Sequence, residues 1–192
     1  MQLSDRAKLL IPKARIVSFA SWEADYSPET VSVFQAADDQ GRYLSDEDFS
    51  HLVSHYPHLA LSVEQARLLR DKAAGIVDSA REQVITQFPA ITQPKGDLYP
   101  PPRAEACWRD FWHFLRCISY GTAAQKNHFT SAEGLENMRL LYQELQVPLY
   151  AMVYGLRELK MFSLEVLEPK NGKQTFIYFD HLIDCLEAFQ ST

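Results

Sequence analysis

Residues 88–103, FPAITQPKGDLYPPPR, hold five of the chain's ten prolines. A proline has no backbone N–H and a fixed φ, so neither a regular helix nor a central strand can run through this segment. Every long element must lie on one side of it or the other. On both sides the sequence reads as helix.

Before the break, PETVSVFQAAD at 28–38 opens on proline and an acid and stops near Gly41. SDED at 45–48 offers an N-cap for a helix through His55. SVEQ at 62–65 has the spacing of a capping box, with a helix running to about Gln87. After the break a central helix is expected from near Arg103. TSAE at 130–133 is a second capping box, for a helix to about Gln146, and Pro148 starts another through Lys160. MFSLEVLE at 161–168 carries the only hint of strand alternation, EPKNGKQ at 168–174 reads as a turn, and a last helix covers roughly 175–189. Residues 1–25 suggest one short helix interrupted at Pro12. The expected class is all-α, with about eight helices, in one domain over 28–192 preceded by an extension at 1–27.

The composition, 46% hydrophobic and 23% charged, suits a packed globule of 192 residues. A net charge of -6 without a basic stripe argues against a nucleic-acid partner. No apolar run approaches the ~18 residues of a membrane span, and the N-terminus lacks the apolar core of a secretory signal. Three cysteines, without metal-ligand spacing, suit a reducing, cytoplasmic setting. The histidines of HLVSHYPH lack a cysteine or acidic partner at ligand spacing, so no metal is expected. His113 points away from Cys107 on the helix and offers it no base. The seven glycines form no phosphate loop, and enzymatic activity is not expected.

The helix after the break, CWRDFWHFLRCISYG at 107–121, is apolar over most of its circumference and still carries Arg109, Asp110, His113 and Arg116. One reading is a core helix whose charges form structural ion pairs. The other starts from Cys107 and Asp110, three residues apart and one turn apart on one surface. A thiol there can form a thioether, and the carboxylate can accept hydrogen bonds from ring N–H groups. Nearby arginines suit acidic substituents, and aromatic walls suit a flat conjugated ligand. These features fit a linear tetrapyrrole, although spacing alone does not single it out. Haem is a weaker alternative, because His51, His55 and His58 read as surface positions and His113 as lying on the polar side of its helix.

This stretch resembles the chromophore helix of the phycobiliproteins, whose pattern runs CLRDxxYYLRxxTYG. AADDQGRYLS at 36–45 resembles their AADxQGRFLS, and PKGDLYPPPRAEAC at 94–107 their PGGNxYTxRRxAAC. YFDHLI at 178–183 resembles their last helix. The likeness covers about residues 28–190 and implies a globin-like helical domain with an N-terminal two-helix arm. It also implies a bilin of the phycocyanobilin type joined to Cys107 and held at Asp110. Phe111, Phe114 and the loop around Tyr99 would wall the pocket. Arg103 and Arg109 would face the propionates, Arg109 less securely because it points off the Cys107 face. Asp38 and Arg116 fall where the family pairs an aspartate and an arginine between subunits, which implies a homo- or heterodimer through helices 28–57.

There are departures. The tyrosine pair becomes His113 and Phe114, the loop asparagine becomes Asp97, Trp112 replaces a smaller residue, and residues 1–25 have no counterpart. The retained Cys107, Arg109 and Asp110 favour a bilin protein. The departures favour either an auxiliary role in bilin synthesis, delivery or turnover or an assembly protein that binds no cofactor, and the auxiliary role is the reading taken here. The alternatives are a light-harvesting phycobilisome subunit and an assembly protein that binds no cofactor. In each case the resemblance implies a cyanobacterial cytoplasmic protein, the thylakoid surface included, with phycobilisome or bilin-biosynthesis proteins as partners.

Overall fold

The structure is a computed structural model that describes residues 3–167 and 175–190. Among the described residues it is all-α and globin-like. Eight α-helices follow in chain order: α1 (Asp5–Leu10), α2 (Pro28–Asp39), α3 (Asp46–His55), α4 (Ala60–Gln87), α5 (Pro101–Ala123), α6 (Ala132–Leu145), α7 (Leu149–Leu167) and α8 (Phe176–Glu187). The long α4 packs on both α5 and α7, and α7 packs on α8. No helix among the described residues is long and apolar enough to cross a membrane.

Local chemistry explains most helix ends. Ser45 caps α3 by accepting from the Asp48 N–H while the Asp48 carboxylate accepts from the Ser45 N–H. Three expectations are corrected. SVEQ does not cap α4, which starts at Ala60; the Ser62 hydroxyl instead donates to the Leu59 and Ala123 carbonyls. The cap of α6 is Ser131, which accepts from the Gly134 N–H, one residue later than TSAE suggests. Residues 161–167 continue α7, because Ser163 and Leu167 add buried positions at helical spacing. The expected turn at 168–174 lies outside the described residues. α5 begins at Pro101, two residues early, since the first helical turn needs no N–H and tolerates proline.

Phe111, Leu115 and Ile118 of α5 are fully buried with Leu156 and Leu159 of α7 and Leu182 of α8. The α5–α7 crossing is tight: a Cβ on Gly155 would lie 2.1 Å from the Phe111 ring, so only glycine fits.

Residues 14–26 lie against the body. Ile16, Phe19 and Trp22 belong to the same buried cluster as α2, α4 and α5. Trp22 meets Phe34 edge-on at 4.9 Å. The Ser18 N–H donates to the Phe129 carbonyl at 3.0 Å and the Ser131 N–H to the Ile16 carbonyl at 2.7 Å. At the start of α6 a Cβ on Gly134 would fall 1.8 Å from the Arg15 carbonyl oxygen, so the extension has a seat that excludes any side chain.

Asp38 and Arg116 do pair, but within one chain. The Arg116 Nη1 donates to Asp38 Oδ1 at 2.7 Å, with both side chains more than nine-tenths buried. Arg116 also donates to the Tyr120 hydroxyl, which donates to the Arg42 carbonyl. Arg15 adds a second cation on Asp38, at 2.5 Å, and bridges to Asp39. The contact implied between subunits is thus made internally, because α2 folds back onto α5 of its own chain.

Candidate functional site

The N-terminal half of α5 faces a cavity of about 570 Å³, within the range of small-molecule sites. Ala106, Cys107, Arg109, Asp110 and His113 form its floor. Met138, Leu141, Tyr142 and Leu145 of α6 form one side, and Pro100, Pro102 and Arg103 close one end. Leu3, Ile11 and Ala14 of the N-terminal segment complete it. A second cavity of about 420 Å³ adjoins it and shares Ala14, Asp110, His113 and Met138.

Cys107 is buried, with 4% of its surface exposed. Burial and then the neighbouring Asp110 push its thiol up to about 12, against a smaller opposing effect of Arg103. It therefore stays a neutral thiol at ordinary pH. Asp110 accepts a hydrogen bond from the Tyr142 hydroxyl at 3.0 Å. Burial lifts its carboxyl to about 6, while the Tyr142 bond and Arg109 pull the other way. Its charge is undercompensated, which is the state of a carboxylate that lacks donors.

His113 lines both cavities, contrary to the expectation that it faces away from the site. The helix turns its polar side toward the extension, so that side is not solvent. Burial, then Arg116 and Arg109, lower its imidazole to about 4, so it is neutral. Its Nδ1 is buried with no hydrogen-bond partner, as is Arg116 Nε.

The other expected residues divide. Arg109 is exposed at the cavity rim. Arg103 lines the cavity but donates to the carbonyls of Asp97, Leu145 and Gln146, clasping the proline-rich loop to the end of α6. The geometry reverses their ranking, leaving Arg109 as the cation available to an acidic group. Phe111 does not line the cavity; it is spent on the α5–α7 crossing. Phe114 borders only the second cavity. Tyr99 is 47% exposed and lies off the cavity wall. The walls are mainly aliphatic, with Tyr142 as the aromatic member. Asp97, in place of the expected asparagine, accepts from the Tyr150 hydroxyl at 2.8 Å.

Tyr142 and the N-terminal wall are the site residues that sequence reasoning did not assign. The pairing of Tyr142 with Asp110 spans 32 residues, which no helical-wheel argument reaches. For the wall, the signal was the apolar Leu10–Ile11 pair and Ala14 set among charges.

A phycobilisome protein family model matches residues 32–186. The chain is similar to the allophycocyanin beta chain of Porphyra purpurea, at 30% identity over 151 residues, covering 79% of this chain and 93% of that protein. It is similar to the allophycocyanin alpha-B chain of a Synechococcus species, at 31% over 156 residues, covering 81% and 96%. It is also similar to the allophycocyanin subunit alpha-B of a Synechocystis species, at 29% over 151 residues, covering 79% and 94%.

Proposed function

Since the chain belongs to the phycobilisome protein family, we propose that it is a bilin-carrying subunit that holds a linear tetrapyrrole in the cavity over α5, linked to Cys107. The observation that carries this reading is the convergence of the Cys107 thiol, the donor-poor Asp110 carboxylate and the Arg109 cation on one cavity of suitable size. The similarity to allophycocyanin chains supports a pigment-carrying subunit more than the auxiliary role taken from the departures alone.

The tetrapyrrole would supply visible absorption, and the protein would set its shape and charge. Asp110 would accept from pyrrole N–H groups, which provide the donors it lacks and lower its pKa. A charge-assisted contact of this kind favours an extended, protonated pigment. Arg109 would sit at the rim for a propionate. Cys107 would hold the thioether, but its neutral thiol must lose a proton to react, so attachment is expected to need a base or a lyase from outside.

A second reading, an auxiliary bilin carrier that stays out of antenna assembly, is favoured by one observation. Asp38 is already paired with Arg116 and Arg15 in its own chain. Pairing with another chain through α2 and α3 would first require that contact to open.

Co-expression with enzymes that make phycocyanobilin tests the first reading. Wild type is expected to give a visible pigment that survives denaturation, and Cys107→Ala to give none. An adduct that survives Cys107→Ala, or no pigment in wild type with or without a lyase, would overturn it. Sedimentation of the pigmented protein with and without phycobiliprotein subunits separates the readings, since only an antenna subunit should form mixed assemblies.

A further inference from the structure

We propose that residues 3–14 are a releasable wall of the Cys107 cavity, a strap that must lift before any reagent or ligand reaches the thiol. Among the described residues, Leu3, Ile11 and Ala14 are the part of the cavity lining that comes from a separate, N-terminal piece of chain. The rest of the lining lies within 100–147, on α5, α6 and the loops at their ends.

The strap is fastened unevenly. From Ile16 onward the chain is anchored by Ile16, Phe19 and Trp22, all buried in the core. Before that point its burial rests on Ala7 and Leu10, while Leu9 and Ile11 are 69% and 45% exposed. Arg15, at the end of this stretch, is held by Asp38 and Asp39; ahead of it the polar fastening is a hydrogen bond from the Ser4 hydroxyl to Glu144 at 2.7 Å and an Arg6–Glu144 pair at 3.6 Å. Exposed pairs of this kind hold weakly. A segment with few buried contacts and surface fastenings opens at lower free energy than the core. The change from light to deep anchoring falls at Arg15–Ile16, beside the Gly134 seat, and places the hinge there.

Ala14 borders both cavities, and so do Asp110, His113 and Met138 behind it. Lifting the strap would therefore merge the cavities into one trough along α5. The unpartnered His113 Nδ1 and Arg116 Nε would border that trough. The proposal does not depend on which ligand the site takes.

Alkylation of Cys107 by iodoacetamide, followed by mass spectrometry in a Cys185→Ser background, tests it. A chain lacking residues 1–13 should be alkylated at Cys107 at least about ten-fold faster than the full chain, equivalent to about 1.4 kcal/mol of opening free energy. Ser4→Ala with Glu144→Gln, which removes the fastening and leaves the core intact, should speed it about two- to five-fold, a fraction of that free energy. Cys117 lines the second cavity, which the strap also covers, so the control is amide exchange in the core of α7, which should keep its slow rate. Unchanged Cys107 rates in the folded variants would overturn the proposal. So would α7 amide exchange accelerating in parallel, since Cys107 would then react through general unfolding. If the truncated chain does not fold, the double variant decides by the same criteria.

Discussion

The two halves of α5 handle polar residues in opposite ways. Toward its C-terminus, Arg116 and Tyr120 are locked with Asp38, Arg15 and the Arg42 carbonyl into a cluster that leaves a single unpaired atom, Arg116 Nε. Toward its N-terminus, Cys107, Asp110 and His113 face open volume. Asp110 has one side-chain donor, Tyr142, and His113 Nδ1 has none. Both clusters share one helix, but Arg116, Tyr120 and Cys107 are buried whereas Asp110 and His113 are half-buried. The satisfied cluster fixes where α2 lies on the body, while the under-satisfied one is a site that a ligand with several N–H groups would complete. A short chain can thus use buried charge for architecture and for recognition within about three turns, provided that only one of the two clusters is closed.

Breaking the closed cluster should have the largest effect. Arg116→Ala leaves Asp38 buried with only the half-exposed Arg15 as partner. Loss of one member of a buried pair costs about 3–5 kcal/mol, and the remaining cation should hold it near the lower end. Urea denaturation measures this, and a loss below about 1 kcal/mol, the size of an exposed ion pair, would show that the cluster is not what holds α2 in place.

The open cluster should respond with the opposite sign. Asp110 has a folded-state pKa of about 6 against an ordinary 3.8. The unligated fold therefore favours the protonated acid, and wild type loses stability from this group as pH rises from about 4 to about 6. Asp110→Asn removes that titration. In the unligated protein it should stabilise by about 1–2 kcal/mol at pH 7, with the gain vanishing toward pH 4. With a bilin bound the same change should shift absorption to the blue and weaken fluorescence. Thermal melts across pH check the first outcome, and an unchanged pigment spectrum would count against any contact with Asp110.

The smallest effect sharpens the contrast. Tyr142→Phe deletes the side-chain donor to Asp110 and should cost about 1 kcal/mol at pH 7, where the carboxylate is ionised. It should also raise the Asp110 pKa further, visible as an upward move of its carboxyl carbon titration by NMR. If the pKa does not move, the Tyr142 bond is not what stabilises the charge.

Much of this was legible in the sequence, and the exceptions have a common cause. The capping serine at 45, the proline barrier and the Cys107–Asp110 face are local and were readable from spacing. Phe111 was misassigned because a helix that is apolar nearly all round has no unique ligand face. Gly155 across the crossing, 44 positions later, decides that Phe111 turns to the core. Arg103 was assigned to a ligand because its carbonyl partners at Leu145 and Gln146 lie 42 and 43 positions away. The Asp38–Arg116 pair was identified as a pair but placed between chains, since spacing does not tell whether an arm folds onto its own body or onto another's.

The contact between Ser4 and Glu144 spans 140 positions, and this sets an order of events on the ribosome. The strap is made first, yet it has nothing to lie against until α6 has left the exit tunnel. By then α5 and its cysteine have already been synthesised. The newborn chain thus passes through a stage in which Cys107 has been made and its N-terminal wall has not yet formed. At that stage Cys107 lies open to whatever the cell brings to it.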